Sequence, residues 1–209
     1  MLIMDAVLET YEARGFTLWP ISDPADDRLL RLSGDLSPRQ VGTAMAVLTG
    51  YNNRPRRRSE RHTTDSLAQV NRLLTAECVV APGGLRVRDT DSGVTVLPGC
   101  CFGLENWRDW QVLLEGEDEP WLGHDPGPRA EHVGATVRLW PDAARQEGRP
   151  IEIPRDQLRD LLRSVQDDLT GFLKCVERWA SCGFAPVAGA LVATLDEGFA
   201  VSAQLDDSP

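Results

Sequence analysis

Two adjacent thiols carry the most reactive chemistry this sequence offers. The apolar run Val94-Thr95-Val96-Leu97 breaks at Pro98-Gly99 into Cys100-Cys101-Phe102-Gly103, then into the helix-like Leu104-Glu105-Asn106-Trp107-Arg108-Asp109-Trp110. A thiol on a strand-to-helix turn sits near backbone N–H groups, which favour its thiolate. Such a segment can act as a nucleophile, a redox pair or a packed corner. As a nucleophile, Cys101 needs an imidazole to take its proton, and His132 is the candidate base. As a redox pair, Cys100 and Cys101 would close a small strained ring, so the bond would be labile and regulatory. As metal ligands they have His124 and His132 downstream and Cys78, Cys175 and Cys182 elsewhere. None of these cysteines shows the C-x-x-C spacing that zinc sites favour, and adjacent cysteines do not easily chelate one ion tetrahedrally. The spacing therefore assigns no metal and no cofactor.

Aromatic residues crowd the same region. Trp107, Trp110 and Trp121 flank the loop that bears His124 and Asp125, out of six tryptophans in the chain. Tryptophan is enriched at binding hot spots and otherwise packs against a core. The expected contact surface is Trp107, Trp110, Trp121, His124 and Asp125, with Glu115, Glu117, Asp118 and Glu119 placed to steer a basic partner. A second surface would be the cationic run Arg54, Arg56, Arg57, Arg58 and Arg61, within a flexible basic loop expected at about 51–64. Clustered arginines release counterions when they meet phosphates, but no aromatic residue is interleaved here for bases to stack on.

Composition narrows the function classes. The chain has 209 residues, of which 42% are hydrophobic, enough for one compact domain over 1–209 with a frayed tail at about 206–209. Its formal charge of −10 argues against coating nucleic acid or an anionic membrane, and is compatible with a basic protein partner. Lys174 is the sole lysine among many arginines, a skew expected of a GC-rich bacterial genome. Met1-Leu2-Ile3-Met4 meets Asp5 at once, so no signal peptide is read there. The longest apolar stretch, Gly183 to Leu195, contains Pro186 and Gly189 and falls short of the roughly 20 residues that span a bilayer. Five cysteines, an odd number, do not make a secreted disulfide framework, so the thiols are expected reduced in the cytoplasm.

The elements that must position these residues follow from periodicity. Leu2, Ile3, Ala6, Val7 and Tyr11 recur at helical spacing and predict a first helix ending at Gly15. Phe16–Trp19 and Leu29–Leu32 read as short strands. Ser37-Pro38 reads as N-cap and first residue of a helix that buries Val41, Ala44, Met45 and Leu48 and stops at Gly50. Asp65 to Glu77 is helical through Leu67, Val70, Leu73 and Leu74. Leu85–Arg88 and Val94–Leu97 form a hairpin around Asp91-Ser92-Gly93. Glu115 to His132 is too rich in Pro and Gly to be regular, and Ala135–Trp140 pairs with Pro150–Ile153. The clearest helix runs from about Arg155 to Ala180, followed by a short one within Pro186–Leu195. The fold class is α+β: a mostly antiparallel, twisted sheet built from the two hairpins and packed against several helices.

Two resemblances add to this reading. Gly99-Cys100-Cys101-Phe102-Gly103 satisfies G-x-C-x-G and resembles the nucleophile elbow of dienelactone-hydrolase-type enzymes, which implies Cys101 as nucleophile. In that fold the elbow follows a parallel strand and its histidine lies far downstream, whereas here the preceding strand reads as antiparallel. The second spans Asp65 to Trp179. Its strands, tryptophan-bearing Gly/Pro-rich loop, pair Val137-Arg138-Leu139-Trp140 and Ile151-Glu152-Ile153, and helix start Pro154-Arg155-Asp156-Gln157-Leu158 resemble the plan of SUKH-like bacterial toxin-immunity proteins. That resemblance implies a non-catalytic cytosolic protein that binds and blocks a toxin. The alternative is a cysteine-dependent enzyme or redox sensor using Cys101.

Overall fold

The computed structural model describes residues 1–53, 65–116, 120–142 and 149–205. Among the described residues, two antiparallel sheets and five α-helices make an α+β fold. The first strand, β1 (Leu2–Glu9), pairs with β2 (Leu29–Arg31) on one side and β3 (Gly83–Asp89) on the other, and β3 pairs with β4 (Thr95–Val96). The second sheet is β5 (Arg129–Val133), β6 (Thr136–Trp140) and β7 (Ile151–Pro154). The two hairpins expected to share one sheet therefore lie in different sheets.

The chain begins with a strand where helical spacing predicted a helix. Residues 4–8 are buried on both faces, so the segment is a near-continuous apolar run whose period does not separate strand from helix. Met4, Ala6 and Leu8 face the hydrophobic core, while Asp5 and Val7 point to the other side. Asp5 is fully buried there among three guanidinium groups. Arg31 Nε lies 3.0 Å from Oδ1, and Nη2 of Arg86 and of Arg88 lie 3.1 and 2.9 Å from Oδ2. Arg31 also pairs with Asp168 at 2.7 Å and Arg86 with Asp27 at 3.3 Å.

Helix α1 (Pro38–Asn52) starts at the expected cap: Ser37 Oγ accepts from the Gln40 N–H, and Gln40 Oε1 accepts from the Ser37 N–H. After α2 (Ser66–Leu74) and the short α3 (Val112–Glu115), α4 runs from Arg155 to Gly183, about 44 Å at 1.5 Å per residue. Its stripe Leu158, Leu162, Val165, Leu169, Phe172, Val176 and Ala180 is buried, and the helix packs on β1, β7, α1 and α5 (Ala188–Phe199). Phe16–Trp19 forms no strand. Trp19 instead donates to the Gly42 carbonyl at 2.8 Å and packs edge-on against Trp179 and Phe184. The stretch expected to be irregular up to His132 contains β5, which returns to β6 through Gly134-Ala135. Among the described residues no helix is long and apolar enough to cross a membrane.

Candidate functional site

Two loops cross at a pair of glycines and hold the thiols against an imidazole. Gly99 donates to the Leu122 carbonyl at 3.2 Å, and Cys100 and His124 exchange two backbone hydrogen bonds of 2.5 and 3.1 Å as an isolated antiparallel bridge. The backbones approach so closely that a Cβ on Gly99 would lie 2.6 Å from the Gly123 carbonyl carbon, and one on Gly123 equally close to Gly99. Only glycine fits at either place. Phe102 and Leu122, both buried, anchor the loops beneath the crossing.

The bridge sets the side chains. Residues directly opposite in an antiparallel pair project from the same face, so Cys100 and His124 are neighbours. Adjacent residues of extended chain would point to opposite faces, but Cys101 adopts a left-handed φ of 66° that breaks this alternation. Its sulfur consequently lies 3.3 Å from that of Cys100. Asp125 mirrors Cys101 on the other loop, with φ of 50°, and its carboxylate lies 3.5 Å from His124 Nδ1. Both sulfurs and a ring nitrogen of His124 fall within 4.8 Å of one another, and all three residues are exposed.

The Cys100 thiol is held above its ordinary pKa, first by the hydrogen bond with Cys101. Partial desolvation and the negative charges of Cys101, Glu9 and Asp125 add to this. That runs against the expectation that the turn would favour a thiolate here. The proposed base is also elsewhere: His132 stands on β5 opposite Val137, with both ring nitrogens buried and without a hydrogen-bond partner among the described residues. It therefore makes no bond to Cys101, and the pair expected for nucleophilic catalysis is not assembled.

The tryptophans divide. Trp107 and Trp110 are in the core, not on a contact surface. Leu104, Trp107 and Trp110 recur every third residue along a 3₁₀ helix (Leu104–Gln111), which puts all three on one buried side. Trp107 donates to the Phe199 carbonyl at 2.8 Å, and Arg108, stacked on it, bonds the carbonyls of Ala200, Ala203 and Gln204. Trp121 is 58% exposed and meets Phe102 and His124 edge-on. Asp125 is also exposed, so the expected surface contracts to Trp121, His124 and Asp125 around the thiols. Of the steering acids, Glu115 is exposed, while Glu117, Asp118 and Glu119 lie outside the described residues, as do Arg54, Arg56, Arg57, Arg58, Arg61 and the tail 206–209. Cys78 and Cys182 are exposed elsewhere, and buried Cys175 donates to the Gly34 carbonyl.

Spacing along the chain offered both His124 and His132 to the thiols and did not choose between them, because the bridge that makes the cluster is non-local. The available signal was the repetition of Gly99-Cys100-Cys101 in Gly123-His124-Asp125, a glycine followed by two metal-competent side chains. Comparison of the chain with family models, with characterised proteins and with solved structures returns no match, so the site is interpreted on its own geometry.

Proposed function

We propose that this chain is a non-catalytic cytoplasmic binding protein, of the toxin-immunity kind, that engages a basic protein partner through the surface around Trp121. The observation that carries this reading is the indole itself, 58% exposed yet braced edge-on by Phe102 and His124. A rigid aromatic loses little conformational freedom on docking, and burying such a ring dominates many interfaces. Exposed Leu97 precedes the same crossing, while exposed Asp125 and the formal charge of −10 favour a cationic partner. Recovery of partners on immobilised protein tests this. A hot-spot contribution of about 2 kcal/mol or more means that Trp121→Ala weakens capture roughly 30-fold, and Asp125→Ala weakens it less. Unchanged recovery of every partner by a folded Trp121→Ala protein would contradict the proposal.

The redox reading retains one supporting observation, the 3.3 Å separation of the two sulfurs. Alkylation by iodoacetamide across pH separates it from the binding reading. A sensor pair reacts faster than a free thiol near neutral pH, whereas two protonated thiols sharing a hydrogen bond react more slowly.

A further inference from the structure

We propose that Cys100, Cys101 and His124 form a surface site for one thiophilic divalent cation of the zinc class, with a fourth position open to solvent. Thiolate and imidazole are the donors zinc prefers, and three protein ligands with an exchangeable fourth is a common zinc arrangement. The three donors already lie within 4.8 Å of one another, brought together by the Cys100–His124 bridge and the left-handed turn at Cys101.

The sulfur spacing fits chelation better than oxidation. Two zinc–sulfur bonds of about 2.3 Å at a tetrahedral angle set the sulfurs about 3.8 Å apart. A disulfide requires about 2.05 Å. At 3.3 Å, the pair needs to open by about half an ångström to accept the ion and to close by more than twice that to oxidise. This answers the objection that neighbouring cysteines cannot share an ion, which holds only while their side chains alternate.

The surroundings favour a cation. Asp125, near Nδ1 of His124, occupies the position from which a carboxylate orients a ligating imidazole and raises its basicity. Binding exchanges the two thiol protons for the metal: both leave to solvent, and Zn²⁺ with two thiolates and a neutral imidazole is uncharged overall. This site does not depend on the partner reading, since it asks only that the folded chain bind the ion.

The test is a competition titration of the reduced full-length chain with Zn²⁺ against a chromophoric chelator. One zinc per chain is expected at about micromolar affinity or tighter, with about two protons released per ion. Cys100→Ser and Cys101→Ser are each expected to weaken binding at least about 100-fold, and His124→Ala and Asp125→Asn by about 10-fold or more. Cys78→Ser and Cys182→Ser, on exposed thiols away from the bridge, should change nothing. The proposal is overturned if folded wild-type protein takes up no stoichiometric zinc, or if uptake survives in Cys101→Ser and is lost in Cys78→Ser or Cys182→Ser.

Discussion

Asp5 and the Cys100–Cys101–His124 cluster are opposite solutions to gathering polar side chains. Asp5 is fully buried and meets three arginines contributed by β2 and β3, two of which pair onward with Asp168 and Asp27. Three positive and three negative charges balance within that group, and regular strand pairing fixes Asp5 and the three arginines. The thiol–imidazole cluster is exposed, rests on a single bridge, and includes a residue in a conformation that side chains normally avoid. Its two thiols share one hydrogen bond, and His124 lies against Asp125. Where polar groups are buried and mutually neutralised, the arrangement serves the fold; where they are exposed, strained and convergent, spare binding capacity remains.

The largest expected effect separates these roles in stability. Asp5→Ala removes the buried carboxylate shared by three guanidinium groups, of which Arg31 and Arg86 keep Asp168 and Asp27, and is expected to cost about 3–5 kcal/mol in urea unfolding. Cys100→Ser, on the exposed cluster, should stay within about 0.5 kcal/mol. Equal losses at the two positions would break the comparison.

A smaller effect should have the opposite sign. Cys101→Gly removes the cost of a left-handed Cβ-bearing residue, so stability should rise by up to about 1 kcal/mol, less the entropy glycine adds to the unfolded chain. The same change deletes a metal donor, so thermal melting should improve while zinc uptake falls. Loss of both would mean that Cys101 is structural.

The smallest effect concerns a half-buried carboxylate without the arginine shell of Asp5. Glu105 Oε2 accepts from the Ala81 N–H at 2.8 Å, and burial pushes its pKa above the usual carboxylate range. Because the folded value is raised, the stability linked to protonation is complete below the ordinary glutamate pKa and is lost as pH rises through the folded one. Glu105→Gln is therefore expected to raise the melting temperature slightly near neutral pH and to have no such advantage in acid. A gain that persists unchanged at low pH would exclude ionisation as its cause.

How much of this was legible in the sequence depended on whether the cause was local. The helix start at Ser37-Pro38, the stripe of α4, the hairpin at Asp91-Ser92-Gly93 and the β6–β7 pair are encoded in short segments, and each forms where the sequence pattern placed it. The β1 strand was misread because burial on both faces erases the alternation that marks a strand. Trp107 and Trp110 were assigned to a surface because sequence does not say which side of a short helix the rest of the fold covers. The cysteine corner was visible at once and His124 stood among its possible ligands, but nothing in the spacing selected it. His124 reaches Cys100 through glycine contacts between distant segments, while His132, equally eligible by position, is directed into the β5–β6 pairing.

X-ray absorption at the zinc edge, on the reduced full-length chain loaded with one equivalent of Zn²⁺, tests most directly whether the bridge is a functional centre. Two sulfurs at about 2.3 Å, one imidazole nitrogen at about 2.0–2.1 Å and one light fourth ligand are the expected shell. A shell of nitrogen and oxygen alone, or one unchanged by Cys100→Ser, would contradict the account.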